Sequence, residues 1–253
     1  MPEEKLNLYY LKKIEYDIDS RLRKKTKKLQ NVEKNMGELE ILYEDEALLV
    51  CKKPAGVATQ TKRLGQKDME SLLKNYRASK GEVPYIGVVH RLDQPVSGVM
   101  VFAKTKEAAS DLSRQVKTKL ADKYYFAMTE GVPEKKKGSL VDYLLRDGKT
   151  NTSSVVSKDT PEAKRAELEY EVVETDGRRA VLRICLLTGR HHQIRVQLSH
   201  AGFPIVGDKK YNFREHLNTS GEALALCSCH IGFKHPVTHK TMKFELEQPY
   251  HLK

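Results

Sequence analysis

No stretch of this chain is apolar for long enough to cross a membrane, which takes roughly 18 or more consecutive apolar residues. No secretory signal is visible either. Residues 1–36 open with acids and continue in basic runs, without the apolar core that such a signal requires. Cysteine is scarce. Its four copies, Cys51, Cys185, Cys227 and Cys229, sit in apolar, strand-like surroundings and read as reduced core residues of a cytoplasmic protein. The set Cys227, Cys229, His230 and His235, and the pair His191/His192, offer metal-ligand types but no standard zinc spacing, so no metal is expected. There is no phosphate-binding Gly-Lys loop and no dinucleotide fingerprint, so no nucleotide cofactor is expected. The carboxylate cluster of a two-metal nuclease is missing as well.

Acidic residues are outnumbered. The chain has 45 Lys and Arg against 34 Asp and Glu, a formal charge of +11 over 253 residues. Such an excess favours a polyanionic partner, because each phosphate neutralised by a cation releases condensed counterions. The length fits one or two domains, and 39% hydrophobic residues suffice for a core. Residues 1–37 stand apart as a basic, helical extension. Their block Arg21–Lys28 reads either as an RNA grip or as a solvated helix packed through Leu8, Leu11 and Ile14. Residues 38–253 show no internal repeat and no linker-like break.

Within that body, apolar runs at Ile41–Tyr43, Ala47–Cys51, Val88–Val89, Val99–Ala103, Tyr124–Glu130, Ser153–Ser157, Ala166–Val173, Ala180–Leu187, Leu224–Ile231 and Met242–Leu246 predict strands. Helices are predicted over Met69–Tyr76 and from a Thr105 cap through Leu120. A third carries Ile194, Leu198 and Ala201 and stops at Gly202. Strands and helices do not alternate regularly. The expected fold is therefore α+β, a mixed, largely antiparallel sheet with flanking helices and a central cleft, rather than a doubly wound parallel sheet.

One segment stands out chemically. His90-Arg91-Leu92-Asp93 places a single carboxylate in a turn stiffened by Pro95, between two apolar runs. An aspartate in a turn is ordinarily a capping group; here it has basic company. In the predicted third helix, Ile194 and Leu198 turn Arg195 onto a partly buried face, where an unpaired cation is costly. An Asp93–Arg195 pair would favour the charged carboxylate, which suits a nucleophile or base. In the run Tyr124-Tyr125-Phe126, alternate rings point to opposite faces, so one tyrosine can line a cleft and stack on a base.

Four stretches, ILYEDEALLVCKKPAGVATQ (41–60), HRLDQPVSGVMVFAKT (90–105), KYYFAMTEG (123–131) and LLTGRHHQIRVQLSHAGFPIVGDKKY (186–211), closed by ALCSCHIGFKHPVT (225–238), resemble in this order the RluA family of RNA pseudouridine synthases. The resemblance runs from about Leu39 to Leu246 and implies the pseudouridine synthase fold. It implies an isomerase without cofactor or metal, acting on ribosomal or transfer RNA; the sequence does not determine the oligomeric state, and a monomer is the default expectation. By the same resemblance Asp93 is the catalytic aspartate and Arg195 its partner. Arg91 fills the gap left by a flipped nucleotide, Tyr125 stacks on the target base, and its phenol is a candidate acceptor for the C5 proton. Leu226 lies beneath the base, and His90, Thr188, Gly189 and Gln193 belong to the substrate site. Three positions depart from the family pattern: Val96 for a usual threonine, Gln197 for a histidine after Arg-Val, and Cys227 for a histidine after Leu226. Residues 1–36 do not resemble the family's accessory S4 RNA-binding domain. The alternative of another class is a non-catalytic RNA-binding protein that keeps this fold; the presence of Asp93, Arg195 and Tyr125 argues for the enzyme.

Overall fold

A computed structural model of the chain describes residues 39–61, 65–118, 120–212 and 222–252. The predicted basic extension lies outside them. The described strands are β1 (Glu40–Glu44), β2 (Leu48–Lys53), β3 (Gly87–Val88), β4 (Ser97–Ala103), β5 (Asp122–Glu130), β6 (Lys137–Asp147), β7 (Thr152–Val156), β8 (Lys164–Thr175), β9 (Arg179–Leu186), β10 (Leu226–Lys234) and β11 (Thr241–Glu245). The described helices are α1 (Met69–Ser79), α2 (Lys106–Lys117) and α3 (Gln193–His200).

All eleven strands join one sheet, in the order β1-β2-β4-β10-β5-β9-β8-β6-β7, with β3 on β4 and β11 on β10. Every pairing is antiparallel except β4 with β10, where Ser97 lies opposite Cys227 and Gly98 opposite Ser228. The expected mixed, largely antiparallel α+β architecture is what the chain adopts. At the parallel join Gly98 has φ +129°, and a Cβ there would fall 2.2 Å from the Ser228 carbonyl oxygen. Only glycine lets the two backbones approach so closely.

Strand alternation sorts the apolar residues onto two faces. One face collects Met100 and Phe102 of β4, Tyr125 and Ala127 of β5, Leu182 and Ile184 of β9, and Leu226 of β10. Met69, Leu72 and Leu73 of α1 and Ile194 and Leu198 of α3 join the same cluster. The other face packs Val99 and Val101 of β4 and Ile231 and Phe233 of β10 against Ala108 and Leu112 of α2. Helix α2 starts where expected, with Thr105 Oγ1 accepting from the Ala108 amide at 3.1 Å. It ends at Lys117 rather than Leu120, because the chain turns back there and the Leu120 amide donates to the Gln115 carbonyl at 3.0 Å, a bond that closes a helix instead of extending it. Helix α1 has a capping box that sequence reading did not mark: Asp68 accepts from the Ser71 amide at 2.7 Å, and Ser71 Oγ accepts from the Asp68 amide.

Strand β6 was not foreseen. Its inward positions are few and its outward ones include Val141, which is largely exposed, so its hydrophobic alternation is weak. Backbone pairing with β8 and β7 holds it. No helix among the described residues is long and apolar enough to cross a membrane. Cys51, Cys227 and Cys229 are buried free thiols and Cys185 is a half-buried one.

Candidate active site

Asp93 sits in the turn between β3 and β4, where its carbonyl accepts from the Val96 amide at 3.0 Å. The turn is fastened by residues distant in sequence. Thr59 Oγ1 donates to the Leu92 carbonyl at 2.9 Å and accepts from the Leu92 amide at 3.1 Å. Lys53, wholly buried at the end of β2, donates from Nζ to the carbonyls of Pro54 (3.0 Å), Val57 (2.5 Å) and Gln94 (3.1 Å). An ammonium has three donors, so this cation is fully satisfied by backbone dipoles. Burial pulls Lys53 down to about 8, against the opposing pull of the negative charge on Asp93.

Arg195, on α3, reaches the turn from the far side of the sequence. Its Nη1 donates to Asp93 Oδ2 at 3.2 Å. The expected Asp93–Arg195 contact is therefore present, but it is not the arginine's main one. Nε and Nη2 grip Asp208 in a two-pronged bond at 2.8 and 2.7 Å, and the Asp208 side chain has no exposure at all. Asp208 Oδ1 also accepts from the amides of Lys210 (3.0 Å) and Tyr211 (3.2 Å). Burial opposes the Arg195 charge; the hydrogen bonds and charge of Asp208, with Asp93 behind them, outweigh it and hold the guanidinium above its ordinary range. Asp208 was not singled out from the sequence, although it is the lone acid in Gly207-Asp208-Lys209-Lys210.

The Asp93 side chain keeps 29% of its surface exposed. Its Oδ2 takes the Arg195 bond and lies 3.5 Å from His192 Nε2, while Oδ1 takes no hydrogen bond among the described residues. Tyr125 lies on β5, opposite Ser228 of β10 and Ile184 of β9, and Leu226 lies opposite Ala127, two residues along the same face. Tyr125 and Leu226 thus share the face that carries Leu92 and Val96, the neighbours of Asp93. Burial, with the nearby charge of Asp93, raises the Tyr125 phenol well above its ordinary value although Ser228 opposes this. Tyr124, on the opposite face, lies under the Arg183 guanidinium at 4.5 Å.

Arg91 is exposed and makes no ion pair among the described residues. Other expected substrate contacts are taken up by the fold. His90 Nε2 accepts from the Val101 amide of β4 at 3.2 Å; burial pulls its imidazole down to about 3, with Lys123 adding to the effect, so the ring is a neutral structural acceptor. Gln193 is buried with all four hydrogen-bonding positions used. Its Oε1 accepts from Thr188 Oγ1 and the Arg190 amide, and its Nε2 donates to the Glu167 carbonyl and Gln197 Oε1. Thr188 Oγ1 in addition accepts from the Glu167 amide at 2.8 Å. These two side chains staple the 187–193 loop to β8. Gly189 is exposed at the loop tip.

Residues 47–200 match the family model described as RNA pseudouridylate synthase. The chain belongs to the RNA pseudouridylate synthase family. Members of this family are isomerases, and the chain is one of them. It is 34% identical over 209 residues to ribosomal large subunit pseudouridine synthase C of Yersinia pestis, covering 81% of this chain and 64% of that protein. It is 32% identical over 222 residues to tRNA pseudouridine synthase C of Vibrio cholerae, covering 81% of this chain and 88% of that protein. Its fold is similar to that of human RNA pseudouridylate synthase domain containing 1, with a TM-score of 0.71 at 22% identity over 84% of each chain.

The departures from the family pattern are accommodated by packing. Val96 is buried in the cluster beneath the Asp93 turn. Gln197 is wholly buried and donates from Nε2 to Asp142 Oδ2 at 2.8 Å and to the Leu140 carbonyl at 3.2 Å, tying α3 to β6. Cys227 is buried opposite Ser97 at the parallel join, and burial raises its thiol. Among the described residues no three side chains of metal-binding type come together.

Proposed function

We propose that this isomerase converts uridine to pseudouridine in ribosomal or transfer RNA, with Asp93 as the group that acts on a flipped-out nucleotide. The observation that carries this reading is the asymmetry of the Asp93 carboxylate. Arg195 fixes Oδ2, and among the described residues Oδ1 takes no hydrogen bond on a partly exposed side chain. In the reaction the N1–C1′ bond breaks, the uracil turns, and C5 joins C1′; C5 releases a proton and N1 gains one. No electrons are gained or lost. Addition of the carboxylate to C6, attack at C1′, and removal of the C2′ proton all start from an ionised oxygen in the position of Oδ1.

Extruding a uridine from structured RNA costs a few kcal/mol. Arg91, exposed two residues before Asp93, is suited to fill the vacated stack. Tyr125 and Leu226 supply an apolar floor for the uracil. The +11 charge supports a polyanionic substrate, and relatives named for ribosomal and for transfer RNA support either class. In this reading residues 38–253 form the catalytic domain of a cytoplasmic monomer.

The test is tritium release from RNA carrying C5-labelled uridine, paired with a map of pseudouridines in cells with and without the gene. Release by the wild-type chain, with sites lost from ribosomal or transfer RNA in the deletion, is expected. RNA binding without any release would replace the enzyme with a binding protein of the same fold.

A further inference from the structure

Beside Asp93 stands a residue without a part in the scheme above. His192 precedes α3 in a left-handed backbone conformation, φ 53° and ψ 24°, which a histidine adopts only at some cost. Its side chain makes no capping bond to the helix. The ring is buried and confined. His191 stacks on it with centroids 3.8 Å apart, and the Tyr211 ring meets it edge-on at 5.6 Å. His191 is itself tied to Ser153 Oγ through Nδ1 at 2.9 Å. Nothing about helix capping requires a strained, buried imidazole at this position.

The hydrogen bonds fix its tautomer. The Tyr211 hydroxyl accepts from the Ser153 amide at 2.8 Å, a group that can only donate. Its own proton has one acceptor among the described residues, His192 Nδ1 at 2.7 Å. Nδ1 is then an acceptor, and a neutral imidazole carries its proton on Nε2. That Nε2–H is 3.5 Å from Asp93 Oδ2, the oxygen Arg195 already holds.

We infer that His192 is a positioning residue for the Asp93 carboxylate: set as the Nε2–H tautomer by Tyr211, it brings a second donor to Oδ2 beside Arg195, so that both donors converge on one oxygen and Oδ1 is reserved for the nucleotide. The ring stays neutral in the working pH range, since burial pulls it down to about 4 while Asp93 pulls the other way and Arg195, His191 and Lys210 add to the lowering. This inference rests on the reading of Asp93 as the acting group.

The test uses the full chain and C5-tritiated RNA. In His192→Asn the left-handed backbone is easily adopted, and the amide oxygen can replace Nδ1 as acceptor for Tyr211, but no donor reaches Asp93. Its kcat is expected to fall at least about tenfold, the scale on which misplacing a reacting group is felt, with KM and melting temperature little changed. In His192→Gln an amide donor sits near the Nε2 position, and kcat recovers in part. Tyr211→Phe keeps the ring under Arg195 (5.1 Å) but removes the proton that sets the tautomer, so kcat falls and KM holds. Wild-type kcat in His192→Asn overturns the inference. So does an equal fall in the Asn and Gln variants that tracks a lowered melting temperature, which marks a packing role. Asp93→Asn, assayed alongside, separates the two levels: if it stays active the reading of Asp93 fails, and if it is dead while His192→Asn is fully active only the inference fails.

Discussion

Asp208→Asn isolates the buried pair on which the site geometry depends. Arg195 and Asp208 are 5% and 0% exposed, so neither charge has water to fall back on. The Asp208 carboxylate accepts four hydrogen bonds, two from the guanidinium and two from the amides of Lys210 and Tyr211. An asparagine can keep its oxygen at the Oδ1 position, facing three of those donors. Its NH2 then faces Arg195 Nε–H, donor against donor, and the negative charge is gone. Breaking one side of a buried pair costs about 3–5 kcal/mol, mostly the penalty of the charge left behind. For a chain of this length each kcal/mol moves the melting temperature by about 2–4 °C, so a fall of roughly 6–20 °C is expected in thermal unfolding followed by circular dichroism. A second variant separates stability from chemistry. Replacing both partners with apolar residues, Arg195→Met with Asp208→Leu, removes the unpaired charge and regains part of the stability, the amides of Lys210 and Tyr211 still lacking their acceptor. It stays inactive because Asp93 Oδ2 has lost its guanidinium. A melting temperature for Asp208→Asn equal to that of the wild type, or a double variant with normal turnover, would refute this reasoning.

Three further outcomes follow from the same geometry. Lys53 titrates near 8 in the folded chain against an ordinary 10.5, so the cost of burying its charge, about 3 kcal/mol, is fully present below pH 8 and is relieved as pH rises toward 10.5. Turnover moves the other way: above pH 8 the amine keeps two N–H groups for three carbonyls and the cation beside Asp93 is lost, so the pH–rate profile falls with a midpoint near 8, and Lys53→Met abolishes that limb; a limb unchanged in the variant contradicts the assignment. Gly98→Ala drives a methyl into the Ser228 backbone in a conformation alanine resists, and is expected to cost about 3 kcal/mol or more in urea unfolding; a variant as stable as wild type shows that β4 and β10 do not pack as closely as described. Burial lifts the thiols of Cys51 and Cys229 to about 12, and Cys227 is buried as well, so in the native chain alkylation followed by mass spectrometry should find Cys185 modified first; prior labelling of Cys51 contradicts the packing of β2.

The elements that periodicity reveals are those with one face in the core. β5 and α2 were legible because their apolar residues alternate or recur against a more polar side, and β4 and β9 because they are short, nearly unbroken apolar runs. β6 was not, because at the margin of the sheet its pairing is a backbone matter and its side chains are mostly half exposed. In the site, Asp93, Arg195, Tyr125 and Leu226 were readable from motif and resemblance, and three of their strands or turns meet on one face. The supports were not readable. Lys53 contacts Gln94 across 41 residues and Thr59 contacts Leu92 across 33, partnerships no local pattern announces. Asp208 could have been suspected, since an arginine turned into a core demands an acid and Gly207-Asp208 lies in the same matching stretch. The internal bonds of Thr188 and Gln193 were not readable either: a loop crossing a buried surface has to satisfy its own amides and carbonyls, and no local pattern says which side chains do it.

The most direct measurement is single-turnover tritium release by Asp93→Asn, with RNA affinity and melting temperature taken on the same preparation. The variant is isosteric, and Asp93 is partly exposed with one oxygen unbonded among the described residues, so the fold and RNA binding should match the wild type while release falls to background. Release at the wild-type rate from a folded, RNA-bound Asp93→Asn protein would remove the carboxylate from the chemistry.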